Sequence, residues 1–149
     1  MKSVPLKYFS IEGVVKDSIG VVTLSQSYIN WDSNPIEVTY SFPMDKEIVV
    51  SDLIVEMDDK VIQGKVEEKQ KAKERYEDAL SKGNAGVMVQ EDEEDSEILR
   101  MDIGNILPGQ QVNITVKLIM KIEVEHGAFT LRIPTYYTPK QYSGKPINQ

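Results

Sequence analysis

"QVNITVKLIMKIEVEHGAFTLRI", residues 111–133, decides the fold. Val112, Ile114, Val116, Leu118, Met120, Ile122 and Val124 recur at every second position, opposite a mostly polar set that includes Asn113, Lys117 and Glu123. Successive side chains of an extended chain point to opposite faces, so this period of two predicts one long strand over 111–125 with a single apolar face. His126-Gly127 then offers a two-residue turn, and Phe129, Leu131 and Ile133 resume the alternation, which makes a hairpin. Histidine tolerates positive φ, so the turn accounts for His126 without base catalysis.

The same period runs outward from this stretch. In "PIEVTYSFP", residues 35–43, Ile36, Val38, Tyr40 and Phe42 alternate with Glu37, Thr39 and Ser41, which reads as a half-buried strand with one wet face. Further strands are expected at about 6–16, 19–30, 47–57 and 98–106. Turn-prone Asp17-Ser18, Asn34-Pro35, Asp58-Asp59 and Pro108-Gly109 separate them. Many short strands with short connections predict a mainly β fold, an antiparallel sandwich.

One segment breaks the pattern. In "VEEKQKAKERYEDALSKG", residues 66–83, Ala72, Tyr76, Ala79 and Leu80 fall at i, i+4, i+7 and i+8, so a surface helix with a narrow apolar stripe is expected over about 66–82. Glu67 with Lys71, and Lys73 with Glu77, are spaced for i, i+4 pairing, and Lys82-Gly83 fits a helix end. The outer face mixes Glu67, Glu68, Glu74, Glu77 and Asp78 with Lys69, Lys71, Lys73 and Arg75. Such a face has little net field with which to steer a charged substrate.

Composition bounds the rest. A chain of 149 residues with 40% hydrophobic content supports one sizeable core. No apolar run is long enough for a membrane span or a signal peptide. The absence of cysteine excludes a disulfide framework and a thiol nucleophile, and fits a cytoplasmic protein better than a secreted one. The net charge of −7 is local, because "EDEEDSE" at 91–97 carries six of the 24 acidic residues, leaving 18 against 17 basic ones elsewhere. No basic face is left to neutralise phosphates, so a nucleic-acid partner is not expected. The acidic run reads as a solvated loop, since the spaced oxygens and glycine of an EF-hand loop are missing.

No constellation for catalysis converges. A single histidine restricts triad schemes, no serine sits in a Gly-x-Ser-x-Gly elbow, and "GNAG" at 83–86 lacks the Gly-Lys-Ser/Thr end of a phosphate loop. "GNAG" reads instead as a helix cap followed by a new strand. Asn113-Ile114-Thr115 is a formal sequon inside the best-marked strand, so it reads as polar-face filling. In "GNILPG", Gly104 and Gly109 are available for positive φ and Pro108 for a fixed turn, which predicts a structured connection. Trp31, between Asn30 and Asp32, is read as a cap on the sandwich end rather than an exposed anchor.

Three blocks together carry a family resemblance: "YSFPMD" at 40–45, "IQGKVEEKQKAKERYEDALSKGNAGVMVQ" at 62–90, and "IGNILPGQQVNITVKL" at 103–118. In their order and spacing they resemble the VIT domain, named for the vault protein and the inter-alpha-trypsin inhibitor heavy chains, over roughly residues 4–140. The matching positions are Phe42 and Pro43; Gly64, Glu68, Lys69, Ala72, Tyr76, Ala79 and Gly83; and Gly104, Asn105, Pro108 and Gly109. The usual Pro-Arg-Tyr near the domain's end is replaced by "TPKQY" at 138–142.

The resemblance implies mainly structural roles for these residues, in a β-sandwich carrying one helix. It divides the chain into a single domain at 1–140 and the start of a linker at 141–149, leading to a von Willebrand A domain. It further implies a non-catalytic module that binds a protein partner or a downstream domain of its own chain, and it carries over no metal site; the residues themselves point to no cofactor and no membrane partner. The Asp-x-Ser-x-Ser metal motif of many von Willebrand A domains occurs nowhere in the sequence. Two other readings remain: a structural domain that orients the von Willebrand A domain, or an accessory domain of an enzyme like the vault poly(ADP-ribose) polymerase.

Overall fold

The computed structural model describes residues 4–44, 46–64, 69–91, 98–133 and 141–142. Eleven strands and one helix follow in order among these residues: β1 (Leu6–Lys16), β2 (Ile19–Ile29), β3 (Ile36–Pro43), β4 (Ile48–Met57), β5 (Lys60–Gln63), α1 (Lys69–Ser81), β6 (Gly86–Glu91), β7 (Ile98–Ile106), β8 (Gln111–Lys121), β9 (Glu123–Glu125), β10 (Ala128–Thr130) and β11 (Gln141–Tyr142).

The strands form a five-stranded sheet in the order β1-β2-β8-β4-β5, a four-stranded sheet in the order β11-β3-β7-β6, and the small pair β10-β9. Every strand pairing is antiparallel. The alternation in β8 does what its period requires: Val112, Ile114, Val116, Leu118 and Met120 are buried against the inward residues of β2, β3 and β7 in one continuous core. Tyr28 on β2 meets Tyr40 on β3 edge to face, with ring centroids 5.6 Å apart, and Tyr40 stacks on Phe42 at 6.0 Å. The Tyr28–Tyr40 pair joins the two sheets, and Phe42 extends the aromatic row along β3.

The predicted strand over 111–125 ends early. Lys121 closes β8, and Ile122 stays buried while its N–H donates to Ser18 O at 2.8 Å, turning the chain out of the sheet. The hairpin forms with His126 and Gly127 at φ 52° and 79°, the paired positive values of a two-residue turn. Its strands β9 and β10 stand apart from the core, leaving Phe129 64% exposed and Val124 similarly open. Asp17 and Asp58 also adopt positive φ, in the tight turns β1-β2 and β4-β5.

The helix was expected over about 66–82 and is described from Lys69 to Ser81; residues 65–68, with Glu67 and Glu68, lie outside the described set. The same holds for the acidic run from 92 to 97 and for most of the expected linker. Lys73 and Glu77 pair at 3.9 Å with both side chains exposed, a contact contributing a few tenths of a kcal/mol. The C-terminal end is fixed by backbone bonds from Gly83 N to Leu80 O and from Asn84 N to Ala79 O, both 2.9 Å, with Gly83 at φ 71°. This is a Schellman motif, in which glycine adopts the left-handed conformation without a Cβ penalty.

Candidate functional site: the seat of the helix and the loop end of the sandwich

α1 lies on the outer face of the four-stranded sheet. Gly86 on β6 and Gly104 on β7 are directly paired across the ladder. A Cβ on Gly104 would stand 2.5 Å from Tyr76 Oη and 2.7 Å from Leu80 Cδ2, and one on Gly86 would stand 3.0 Å from Tyr76 Cδ2. The two glycines therefore form a flat floor on which the Tyr76 ring rests, and Tyr76 is only 6% exposed. Ala72 is buried beside it, with Ala79 and Leu80 half-buried, so the apolar stripe faces inward. Gly104 was expected to supply positive φ, but that conformation belongs to Asn105, at 59°. Gly104 is required by the close approach of the helix.

Beyond the glycine floor the sheet face is polar and partly covered. The Tyr76 hydroxyl donates to Glu37 Oε1, Thr39 Oγ1 donates to Asp102 Oδ1 at 2.6 Å, and Arg100 Nε donates to both Asp102 carboxylate oxygens at 3.1 Å. Asp102 is 2% exposed. The wet face expected for β3 is thus partly closed over by α1, and its polar residues bond to one another. Burial holds the Tyr76 hydroxyl far above its ordinary ionisation range, and the Glu37 carboxylate adds to the shift. A phenol kept protonated and already donating is suited to structural anchoring and poorly suited to proton transfer at neutral pH. Glu37, Thr39, Arg100 and Asp102 were not singled out from the sequence, where strand alternation makes them resemble ordinary solvent-facing residues.

The remaining motif positions are spread over the fold. Gly64, just after β5, admits no side chain, since a Cβ would lie 2.6 Å from Leu53 Cδ2 and 3.2 Å from Val89 Cγ2. Phe42 is a core residue of β3, and Pro43 ends that strand. Lys69 opens the helix. Gly109 turns at φ 75° in open space, next to the exposed Pro108.

The "GNILPG" connection is tied to the loop after β2 by Asn30. Its N–H donates to Gln110 O at 3.0 Å, its carbonyl accepts from Gly109 N at 2.7 Å, and its Nδ2 donates to Asn34 O and Ile106 O at 2.9 Å. Asn30 therefore closes this end of the sandwich, the role expected of Trp31. Trp31 is instead 68% exposed, because the buried Asn30 amide occupies the end and the chain turns through the bond from Asp32 N to Asn30 Oδ1. Leu107 is exposed on the loop bonded to Trp31's neighbour, so this end presents apolar side chains on a rigid frame.

Among the described residues no group of three or more His, Cys, Asp or Glu side chains is arranged to hold a metal ion. No described helix is long and apolar enough to cross a membrane. Asn113 Oδ1 accepts from Ser27 and from Gln111 Nε2, so the sequon asparagine is engaged within the sheet face.

The family model of the vault protein inter-alpha-trypsin domain, VIT, matches residues 6–118. The chain belongs to the VIT family. The VIT domain is 29% identical over 140 residues to the von Willebrand factor A domain-containing protein 5A of Mus musculus, covering 93% of this chain and 18% of that protein. It is 37% identical over 111 residues to a von Willebrand factor A domain-containing protein of Dictyostelium discoideum, covering 74% and 12%. It is also 30% identical over 146 residues to the protein mono-ADP-ribosyltransferase PARP4 of Mus musculus, covering 98% and 7%. The chain spans less than a fifth of each of these relatives, which places the VIT domain within larger multidomain proteins. The blocks quoted from the sequence meet in space only in part: the helix block and Gly104 form the seat, while Pro108 and Gly109 belong to the loop end.

Proposed function

We propose that the VIT domain is a non-catalytic protein-interaction module that docks on a von Willebrand A domain of the same polypeptide, in the cytoplasm. Trp31 carries this reading. An exposed tryptophan held on a loop that is hydrogen-bonded to a buried frame loses little entropy on binding and offers a large apolar area, the character of an interface hot spot. The relatives named for their von Willebrand A domains supply the partner, and the lack of cysteine supports a reducing compartment. The polar side chains under α1 are engaged with one another, which supports a role without chemistry.

The test is calorimetric titration of the VIT domain with a von Willebrand A fragment from its own polypeptide. Trp31→Ala is expected to weaken binding by about tenfold or more while leaving the melting curve unchanged. Equal affinity of wild type and variant would remove the loop end as the docking surface. The similarity to PARP4 supports a second reading, an accessory domain in an ADP-ribosyltransferase, whose chemistry would then reside outside this domain.

A further inference from the structure

Among the described residues β1 is the longest open sheet edge. It pairs with β2 on one side only and runs for 11 residues. The other described edge strands are shorter: β5 has 4 residues, β11 has 2 and β6 has 6. An unpaired strand edge presents N–H and C=O groups that invite another strand, and proteins usually blunt it with proline, inward charge or a bulge. The irregularity in β1 lies between Leu6 and Tyr8, after which the register with β2 is regular to Lys16. From Tyr8 to Val14 there is no proline, and the one charged residue, Glu12, points away from the core with Val14.

Apolar side chains stand exposed on both faces of this edge, although Phe9 is half-buried and Leu131 lies beside Gly13 on the inner face. Val14 is 70% exposed, and Tyr8, Ile11 and Val15 are also exposed. Val14 ends a row across the outer sheet face, paired through Val21 and Ile119 to the exposed Val49. We propose that β1 pairs antiparallel with β1 of a second copy about a two-fold axis at Ile11, joining the two five-stranded sheets into one.

The sequence selects that register. A two-fold perpendicular to the sheet keeps the faces matched, so opposed residues must share a face. Centring on Ile11 sets Tyr8 opposite the partner's Val14, an aromatic and β-branched pair of the kind that stabilises ladders. Phe9 then covers the partner's Gly13, an aromatic over a strand glycine, and Ser10 faces the partner's Glu12, a hydroxyl donor against a carboxylate. Centring on Glu12 would oppose two like charges, and centring on Ser10 would leave Val15 and Lys16 unpaired. The row from Val49 to Val14 would continue onto the partner's Tyr8.

The absence of cysteine makes the register directly readable. In the proposed pairing, single variants of this chain carrying Ile11→Cys bring two thiols directly opposite at a Cα separation of about 4.5–5.5 Å, inside the range of a disulfide. Ser10→Cys or Glu12→Cys places them more than about 8 Å apart, which is too far. Under mild oxidation Ile11→Cys is expected to cross-link at least about tenfold faster than either neighbour. Sedimentation of the wild-type chain should show a concentration-dependent dimer that Val14→Lys weakens by about tenfold or more. A wild-type chain that stays monomeric at high concentration overturns the proposal and leaves the edge to an extended strand of a different protein. Equal cross-linking at all three positions, or faster cross-linking at Glu12→Cys, also overturns it. Should Ile11→Cys fail to fold, the wild-type sedimentation and Val14→Lys decide.

Discussion

Single atoms decide how the helix meets the sheet. Gly104→Ala would push a Cβ into the Tyr76 hydroxyl, which is itself fixed by Glu37, so neither side can yield cheaply. A destabilisation of about 1–3 kcal/mol is expected from urea melts, the usual cost of overpacking. Tyr76→Ala empties the seat and should cost about 3–5 kcal/mol; a shift below about 1 kcal/mol with the helix retained would refute the packing account. Tyr40 gives the opposite sign. Its hydroxyl is buried and makes no hydrogen bond of normal geometry among the described residues, although the Tyr28 hydroxyl is within electrostatic reach. An unsatisfied buried hydroxyl is a net cost, so Tyr40→Phe should leave stability unchanged or raise it by about 1 kcal/mol. A loss comparable to that of Tyr76→Ala would mean that the hydroxyl is satisfied after all.

Elements were legible in the sequence where one local rule governs them. β1, β2, β4, β7 and β8 follow from period-two alternation, and the Schellman end of α1 follows from glycine placed just after the apolar stripe. β5 is too short, at 4 residues, to establish a period. The exit of the chain at Ile122 was hidden because Val124 and Phe129 continue the alternation into a hairpin that has no sheet to pack on. The charged layer under α1 was hidden for a related reason: alternation marks which face a residue takes, and cannot report what another element later lays over that face. Trp31 was misplaced because aromatic size suggests a plug, whereas the neighbouring Asn30 could satisfy the carbonyl groups at the sandwich end. The detached hairpin offers its own measurement. His126 holds φ 52° at the first turn position, where asparagine is favoured before glycine. His126→Asn should raise stability by about 0.5 kcal/mol in thermal melts, an effect of the turn alone. A decrease would show that the imidazole contributes something beyond its backbone conformation.

At the scale of the whole molecule, the sheets and the helix are joined through tyrosines, and that choice sets where the fold fails with pH. Tyr28 and Tyr40 bridge the two sheets, and Tyr76 binds α1 to the outer face. Burial pushes the Tyr28 hydroxyl up to about 12, with a weaker opposing influence from Tyr40, and it drives Tyr40 and Tyr76 well above the ordinary value. In the unfolded chain all three would ionise near pH 10. A folded-state value above the unfolded one means that the unfolded chain releases protons first. The stability associated with these groups is therefore complete below about pH 10 and falls as pH rises from there towards and beyond 12. Each such tyrosine contributes about 1.4 kcal/mol of loss per pH unit in that window. Urea melts at successive pH values should show little change attributable to the tyrosines at neutral pH and a steep decline above about pH 10. Because Tyr40 brings its ionisation penalty without a well-formed hydrogen bond among the described residues, Tyr40→Phe should make that decline shallower while leaving the neutral-pH stability at least as high. An unchanged slope in Tyr40→Phe would mean that its hydroxyl reaches water before the fold opens, and that the joint between the sheets is looser than the buried ring pairs require.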